Sequence, residues 1–567
     1  MYFNSKGKEA MTFDAIVIGT GISGGWAAKE LSEKGLKTLV LERGRMMKHP
    51  DYPTANLEAW ELPNNGTTPK KEMEEFYQKQ KRSGYTISEA SKHLWVKDTD
   101  YPYTEEKPFD WMRGYHVGGR SIMWGRQSYR LSEMDFEANA KDGIAVDWPV
   151  RYNEIAPWYD YVEKFIGVSG QNEGLSQLPD GKFQKPMEMN CLEKSVREKV
   201  KSSFKERLIT IGRVANITEP IGKRGTCQSR NKCMLGCPFG AYFSSLSSTL
   251  PAAEESGNMT LRANSIVTEI VYDPKTQKAS GVKVVDAESG EAMEFFAKII
   301  FCNASTLGTA QILLNSTSDR FPNGLGNDCG ELGHNLMDHH FRLGASGSSD
   351  EFADQYHKGK RPNGIYIPRF QNINRDTKKE YLRGFGYQGG ASRENWWRTV
   401  PELDFGADFK AKIHSPGSWR MGMTAFGECL PYHENHVRLN KEVLDKHGLP
   451  TLTLSAEWKE NEMTMRKDMI EAAMEIFTAG GLKDVTSYDA GCNPGLGIHE
   501  MGTARMGKDP RTSVLNKHNQ IHAVPNVYVT DGSFMTSAGC QNPSLTYMAF
   551  TARAVDHAVT ELKKQNL

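Results

Sequence analysis

The chain has 567 residues, enough for two or more domains with large cores. Lys plus Arg and Asp plus Glu each number 70, so the formal net charge is zero, which argues against nucleic acid or an anionic membrane as the main partner. No apolar run approaches the roughly 18 residues of a transmembrane segment. The polar stretch 1–13 lacks the apolar region of a secretory signal peptide.

A glycine-rich turn lies between two predicted parallel strands near the N-terminus. Ala15–Ile18 is a short apolar run typical of a buried strand, and Lys37–Leu41 predicts a second one. Gly25–Lys34, between them, favours a helix. This order of strand, turn, helix and strand within Asp14–Arg43 predicts a Rossmann-like unit that binds a dinucleotide.

The residues of the turn each have a mechanical role. Gly19 allows the tight turn, Gly21 lets the backbone approach a pyrophosphate, and Gly24 lets the helix pack on the strand. Glu42 follows about 20 residues later, where an acid binds ribose hydroxyls. Arg43 directly follows it and is counted with the cofactor-binding residues. This motif alone does not separate FAD from NAD.

The rest of the chain alternates irregular segments with regular elements. Arg45–Phe109 is polar and interrupted by prolines, which indicates an excursion such as a lid or an interface, and Arg113–Arg130 is rich in glycine and arginine. Short alternating runs between about residues 342 and 456 predict an antiparallel sheet; they include Gly364–Phe370, His436–Leu439 and Thr451–Ser455. The other predicted strands are Thr260–Ala263, Val267–Tyr272, Gly281–Val285, Lys298–Phe301 and Asn526–Thr530, and the predicted helices are Trp148–Gly167, Ala304–Asn315 after a turn, Asn461–Ala479 with Asn461 as N-cap and Gly480 just past its end, and Pro543–Leu562.

Three of the nine cysteines lie close together, at Cys227, Cys233 and Cys237. An odd number with this clustering does not indicate a disulfide framework, so the pattern leaves a metal site or scattered core thiols. A structural zinc site takes four ligands, which Cys191 or a histidine would have to complete. Three thiolates suit a soft metal or an iron–sulfur centre, and they suffice for a [3Fe–4S] cluster.

Several motifs, in this order, resemble those of the glucose–methanol–choline (GMC) oxidoreductase family over most of the chain. Besides the N-terminal motif with Glu42, they are Gly118-Gly119-Arg-Ser121 with Trp124, Ala304–Leu314, Gly333–His339, His499–Gly507, and Asp531-Gly532 followed by Asn542-Pro543. The resemblance implies FAD rather than NAD, because the segment Asp531–Asn542 wraps a flavin in this family.

The resemblance implies an α/β fold with a Rossmann-like FAD-binding domain and an α+β substrate domain built on an antiparallel sheet. The FAD-binding domain would combine residues 11–45, 110–140, 225–340 and 492–567, and would carry an iron–sulfur loop at 227–238. Residues 46–109, 141–224 and 341–491 would form the substrate domain and its excursions.

The same resemblance implies roles for individual residues. His499 matches the base that takes the hydroxyl proton during hydride transfer to the flavin, and Asn542 matches the residue that orients the substrate hydroxyl. Met123 stands where pyranose 2-oxidases carry a histidine bonded covalently to FAD, so we expect non-covalent FAD. The cofactor-binding set is Gly19, Gly21, Gly24, Glu42, Arg43, Gly118, Gly119, Ser121, Val267, Asp531, Gly532 and Pro543.

The segment 227–238 resembles the cluster-binding loop of bacterial FAD-dependent glucose dehydrogenase catalytic subunits. That resemblance implies a [3Fe–4S] cluster on Cys227, Cys233 and Cys237, with zinc and no metal as the alternatives. A cluster passes electrons singly to an external redox protein such as a cytochrome c. The chain would then be a dehydrogenase rather than an oxygen-consuming oxidase.

Overall similarity to bacterial sugar dehydrogenases favours a glucoside 3-dehydrogenase, with Trp396 and Trp397 available to stack on a pyranose. C1 oxidation of glucose and C2 oxidation of gluconate are the alternatives within the family. A flavin-binding lyase and a non-catalytic or redox-sensing FAD protein are the alternatives from other classes. Relatives often pair with a small subunit that carries the export signal, so we expect a periplasmic enzyme by co-export, or else a cytoplasmic one.

Overall fold

The structure is a computed structural model that describes residues 11–83, 87–356, 361–394 and 405–567. Trp396 and Trp397 therefore lie outside the described residues. The strands are β1 (Thr12–Ile18), β2 (Thr38–Leu41), β3 (Thr104–Glu105), β4 (Thr210–Ile211), β5 (Met259–Arg262), β6 (Ser265–Asp273), β7 (Lys278–Asp286), β8 (Ala292–Cys302), β9 (Leu343–Ser349), β10 (Ile365–Ile367), β11 (Phe385–Arg393), β12 (Trp419–Gly427), β13 (His436–Leu444), β14 (Pro450–Ser455), β15 (Lys483–Asp489), β16 (Gln520–Ile521) and β17 (Val524–Val529). The α-helices are α1 (Ile22–Glu33), α2 (Lys70–Phe76), α3 (Glu133–Asp142), α4 (Tyr152–Ile166), α5 (Cys191–Ser203), α6 (Leu250–Glu255), α7 (Thr306–Asn315), α8 (Gly406–His414), α9 (Glu460–Ala479) and α10 (Ser544–Lys563).

The first sheet is a mainly parallel sheet in the order β16-β17-β8-β1-β2-β5. Strands β17, β8, β1, β2 and β5 run parallel to one another, while β16 pairs antiparallel with β17, and β7 pairs antiparallel with β8 and β6. All four residues of β2 are buried, as expected of a strand covered on both faces. Helices α1, α6 and α10 pack together beside it. The predicted Rossmann-like unit is confirmed.

The second sheet is antiparallel in its described pairings, in the order β15-β9-β12-β11-β10-β4. Helices α5 and α9 pack against this sheet. Buried methionines and aromatics fill the layer between them, among them Met465, Met469, Phe477 and Tyr387. The predicted mixed α/β architecture with an antiparallel sheet is confirmed.

One pair of predicted strands does not join this sheet. Strands β13 and β14 form a separate three-stranded sheet with β3. Their apolar side chains, such as Val437 and Leu454, share a core with Leu307 and Ala310 of α7. The alternating pattern indicated a half-buried strand correctly, but it carried no information on which surface buries it.

Helix α9 begins one residue earlier than predicted. Its N-cap is Lys459, whose backbone N–H donates to the carboxylate of Glu462 at 2.9 Å. The side chain of Asn461, the predicted cap, instead accepts a hydrogen bond from the backbone N–H of Leu382 at 2.8 Å. The side chain of Asn461 therefore bonds to a residue distant in the chain and does not cap the helix, although its residue type favours the cap position.

The excursion 45–109 packs on the parallel sheet. Met47, Tyr52, Leu94 and Trp95 are buried in the same core as β1, α1 and α6.

Among the described residues, no helix is both long and apolar enough to cross a bilayer.

Candidate active site

A cavity of about 600 Å³ opens at the carboxyl ends of β1, β2 and β8, where open α/β sheets bind their ligands. Its far wall comes from β11 and β12 of the antiparallel sheet, through Gln388 and Phe426. The predicted site residues that line it are Gly19, Gly21, Glu42, Arg43, Gly119, Ser121, Val267, His499, Asp531, Gly532 and Asn542. The other predicted residues do not line it: Gly24, Gly118, Pro543, Cys227, Cys233 and Cys237.

The glycines of the first turn meet different surroundings. Gly19 has φ +94°, and a Cβ there would lie 2.4 Å from the carbonyl oxygen of Asn303. A Cβ on Gly24 would lie 2.0 Å from the carbonyl oxygen of Gly19, so α1 needs a glycine to pack this closely. A Cβ on Gly21 would meet no protein atom within 4 Å. Gly21 therefore leaves space open on the cavity side, where a phosphate group would approach the helix N-terminus.

Glu42 is a buried carboxylate at the end of β2. One oxygen accepts hydrogen bonds from the backbone N–H and hydroxyl of Thr20 at 3.1 and 2.5 Å, and the other accepts from the N–H of Gly44 at 2.9 Å. Burial raises the pKa of this carboxyl, and these bonds oppose the shift. The carboxylate keeps lone pairs toward the cavity, as a ribose-binding acid requires.

The segment around Gly118 is tied to the glycine-rich turn. The N–H of Gly118 donates to Thr20 Oγ1 at 2.9 Å. Ser121 Oγ accepts from the N–H of Ser245 at 3.0 Å, and Ser245 Oγ donates to the carbonyl of Gly21 at 2.9 Å. Two motifs about 100 residues apart in the chain thus share one wall of the cavity.

The C-terminal segment closes the cavity from another side. Asp531 accepts hydrogen bonds from the N–H and hydroxyl of Ser533 at 3.0 and 2.7 Å and from Thr309 Oγ1 at 2.5 Å. Burial raises its pKa. Pro543 is the N-cap residue of α10, whose first turn contributes Ser544 and Tyr547 to the lining.

His499 and Asn542 lie side by side in the cavity lining, with Asn542 Nδ2 3.2 Å from His499 Nε2. The amide of Asn542 is itself oriented, because Gln388 Nε2 donates to Asn542 Oδ1 at 2.5 Å. The pKa of His499 is held well below its usual value, by burial first and then by electrostatic repulsion from His339, when that ring is protonated, and from Arg120. The imidazole is therefore neutral at physiological pH and has the protonation state of a base.

Asp338 and His339, which are neighbours in the chain, contact the backbone and the ring of His499. Asp338 accepts hydrogen bonds from the N–H groups of Gly495, Gly497 and His499 at 2.8, 2.9 and 3.1 Å. The ring of His339 places Nδ1 2.9 Å from Nδ1 of His499.

Sequence reasoning gave no role to Asp338, His339 or Gln388. The stretch Gly333–His339 was a signal for the first two, because it was one of the family-like motifs. No local pattern marks Gln388.

A partly buried ion pair lies next to the same loop. Arg120 donates two hydrogen bonds to the carboxylate of Glu500 at 2.9 and 2.8 Å. This bidentate pair connects the Gly118–Ser121 segment to the residue that follows His499. Phe341 and Phe426 stack with ring centroids 5.2 Å apart and give the neighbouring wall an apolar face.

The cysteine loop, residues 227–238, lies next to the cavity. Met234 lines the cavity and sits on a short 3-10 turn, Cys233–Leu235. Burial raises the pKa of the Cys227 thiol, and negative charge on Cys233 and Cys237 would raise it further. Over the residues that the structure describes, no group of three or more Cys, His, Asp or Glu side chains is arranged to hold a metal ion.

Two buried arginines flank this loop with polar atoms that have no partner. Arg224 Nη2 and Arg126 Nε are both buried without a hydrogen bond in the described structure. Burial lowers the pKa of Arg224 to about 10, and the charge of Cys237 opposes that shift. Arg126 Nη1 lies 3.8 Å from the sulfur of Met234. This corner therefore carries positive charge that an anionic group at the loop would balance.

Two family models, both described as GMC oxidoreductase, match residues 13–341 and 431–551. The 2-methyl-1,2-propanediol dehydrogenase of Mycolicibacterium austroafricanum is 30% identical, covering 96% of this chain and 94% of its own. The fructose dehydrogenase large subunit of Gluconobacter japonicus is 25% identical, covering 98% and 99%. A formate oxidase structure from Aspergillus oryzae aligns with a TM-score of 0.62 at 15% identity, covering 98% of this chain and 99% of its own, and shows the same fold.

Proposed function

Since this chain belongs to the GMC oxidoreductase family, we propose that it is a sugar dehydrogenase that oxidises a secondary hydroxyl of a pyranose or glucoside. GMC flavoenzymes bind FAD and oxidise CH–OH groups. We propose C3 of the sugar as the carbon oxidised, which gives a 3-keto-glucoside. The observation that carries the proposal is the neutral His499 beside Asn542, at a cavity whose opposite wall suits a dinucleotide.

The residues around the cavity fit FAD. Gly21 leaves open space at the N-terminus of α1 for the pyrophosphate, and Glu42 and Asp531 offer carboxylate oxygens on either side. Met123 lines the cavity, and a thioether forms no covalent bond to a flavin, so we propose that the cofactor is held non-covalently. When bound, FAD supplies the hydride acceptor.

The side chains of this protein handle the proton. A substrate hydroxyl that displaces the direct contact between His499 Nε2 and Asn542 Nδ2 donates its hydrogen to the imidazole and accepts one from the amide. Loss of that proton makes the C–H bond a better hydride donor. The alcohol thus loses one proton to His499 and one hydride to the cofactor. The stacked Phe341 and Phe426 offer an apolar surface to the C–H face of a sugar ring.

A small diol is a second candidate substrate. The relative at 30% identity is a 2-methyl-1,2-propanediol dehydrogenase, which favours this alternative. Oxidation of glucose at C1 or of gluconate at C2 are further alternatives at the same site. Anaerobic mixing with each compound tests all of them, because a substrate bleaches the flavin absorbance. NMR of the products from glucose and lactose then fixes the carbon, and a lactone would refute C3 oxidation.

The same bleaching experiment separates dehydrogenation from the other classes. A flavin-binding lyase or a redox-sensing FAD protein would leave the flavin oxidised with every sugar and diol. Bleaching by any of them refutes both alternatives.

We propose further that the cysteine loop holds a [3Fe–4S] cluster on Cys227, Cys233 and Cys237. Three thiols in one loop, and one buried nitrogen without a hydrogen bond on each of Arg126 and Arg224, support this proposal. The ligands do not form a converged metal site, so we derive no electron-transfer step through a cluster.

The cluster has a direct test. Anaerobically purified protein should contain iron and give an EPR signal after oxidation, and Cys233→Ser should lose both. The control is Cys329→Ser, a half-buried cysteine outside the loop. Protein that contains no iron and shows only a flavin spectrum would refute the proposed cluster.

We also propose a small partner subunit and a cytochrome c acceptor, with export to the periplasm together with that subunit. The relative from Gluconobacter japonicus is itself the large subunit of its enzyme, which supports a partner. Co-expression with the neighbouring genes, followed by co-purification and fractionation, tests this proposal. A protein found alone in the cytoplasm would contradict it.

A further inference from the structure

A chain of hydrogen bonds runs from the backbone of one segment through two histidines to the cavity. His339 Nε2 lies 2.8 Å from the carbonyl oxygen of Gly539. His339 Nδ1 lies 2.9 Å from His499 Nδ1, and His499 Nε2 faces Asn542. Both rings meet nearly edge to face, at 78°.

The chemistry of each partner fixes where the hydrogens lie. A carbonyl oxygen only accepts, so His339 must carry its hydrogen on Nε2. Burial lowers the pKa of His339 to about 4, so the ring is neutral and its Nδ1 carries a lone pair. Two lone pairs would repel at 2.9 Å, and His499 therefore carries its hydrogen on Nδ1.

We propose that His339 is the positioning residue that selects the tautomer of His499 and leaves the Nε2 lone pair facing the substrate. This inference rests on the proposed function, since it deepens the role of His499 as the base. Without an acceptor beside Nδ1, only the amide N–H of Asn542 still favours the hydrogen on Nδ1. Once a substrate hydroxyl displaces that contact, the hydrogen can move to Nε2, and the imidazole then presents a donor to the hydroxyl.

Asp338 and His339 hold different parts of the His499 loop, one its backbone and the other the imidazole ring. Asp338 fixes the main chain of the loop Gly495–His499 through three N–H groups, while His339 fixes the ring. The charged groups that face His499 are Asp338 and the Arg120–Glu500 pair, and the titratable neighbour is His339. Removing His339 takes away a ring whose protonation at acid pH would oppose the protonation of His499 and so lower its pKa.

Two substitutions separate the hydrogen-bond role from simple packing. His339→Asn keeps a side-chain oxygen near the position of Nδ1, so it can still accept from His499, whereas His339→Leu offers no acceptor. We expect His339→Leu to lower kcat on the order of 10²-fold, because the Nε2 lone pair of His499 is then less available to take the hydroxyl proton. KM and FAD content should change little. His339→Asn should lose only a few-fold. In His339→Asn the acid limb of kcat/KM should move to higher pH.

The tautomer itself is measured without turnover. In protein labelled with 15N-histidine, His499 Nε2 should give a pyridine-like signal in the wild type and in His339→Asn. In His339→Leu, where only Asn542 still favours this form, the signal should shift toward the pyrrole-like range. His499→Asn assigns the signal, and His433→Leu, at an exposed histidine, serves as the control.

A protonated Nε2 in the wild type would overturn the inference, as would equal losses of kcat in both variants. If His339→Leu does not fold, the wild-type spectrum and His339→Asn still decide it. A pyridine-like Nε2 in an enzyme that no alcohol reduces would leave this inference standing and refute the proposed function.

Discussion

Gly21 offers a substitution that separates binding of the cofactor from folding. Its backbone has φ −64° and ψ −162°, which an L-residue adopts without strain, and an added Cβ meets no protein atom within 4 Å. Gly21→Ala should therefore leave the apo-protein as stable as the wild type, or more stable by about 0.4–1 kcal/mol through the unfolded state. The methyl group would instead occupy the space that a pyrophosphate needs.

The expected magnitude follows from the contact that is lost. One hydrogen bond to a charged group contributes about 1.5–3 kcal/mol, so the Kd for FAD should rise about 10- to 150-fold, and about 100-fold for a loss of about 2.7 kcal/mol. At FAD held at 100 times the wild-type Kd, stabilisation by the cofactor then falls from about 2.7 to about 0.4 kcal/mol. Thermal unfolding of apo-protein with and without FAD, together with titration calorimetry, measures both quantities.

The matched control is Gly24→Ala. Its Cβ would lie 2.0 Å from the backbone oxygen of Gly19, so the apo-protein should lose about 1–3 kcal/mol before any cofactor is added. Wild-type affinity for FAD in Gly21→Ala, or an equal loss of apo stability in both variants, would refute the reasoning.

Three further outcomes are expected. His499→Ala should keep its FAD and lower kcat about 10²–10⁴-fold. Full turnover in this variant would refute the assignment of His499 as the base. Asp338→Asn presents an amide to a cluster of N–H donors and should cost about 1–3 kcal/mol in thermal unfolding, so a neutral result would contradict its role. Burial, and then the charge of Glu500, raises the pKa of Asp338 to about 7. Since the folded state holds this proton more tightly than the unfolded state, the contribution to the free energy of unfolding is full below about pH 4 and is lost as the pH rises through about 7. Asp338→Asn should lack this part of the pH dependence, as followed by unfolding at several pH values.

Much of the fold was predictable because its signals are local. The apolar runs of β1 and β2, with the glycine-rich turn between them, predict a parallel pair, and the register Ala15↔Thr38 confirms it. The bounds of α7 and α10 lie within two residues of the prediction. Strand pairing was harder, because β13 and β14 carry the same alternation whether they join one sheet or another.

The site was predictable where a motif names the residue and unpredictable where only the fold brings residues together. The motifs pointed to His499 and Asn542, and the structure brings them within 3.2 Å of each other. His339 lies 160 positions before His499, and Gln388 comes from a strand of the other sheet. Contacts of this kind arise from tertiary packing, and no periodicity of the chain records them.

The geometry also explains a glycine that no motif singled out. Gly539 has φ +65°, and a Cβ there would lie 2.6 Å from Leu131 Cδ2. Its carbonyl accepts a hydrogen bond from His339 Nε2. The conformation of this peptide therefore places the hydrogen of His339 on Nε2, which is the first link in the hydrogen-bond series that ends at His499. Asn542 lies three residues later and meets the same imidazole from the cavity side. One turn of backbone therefore fixes both the tautomer of the base, through its carbonyl, and the partner of the base, through its side chain.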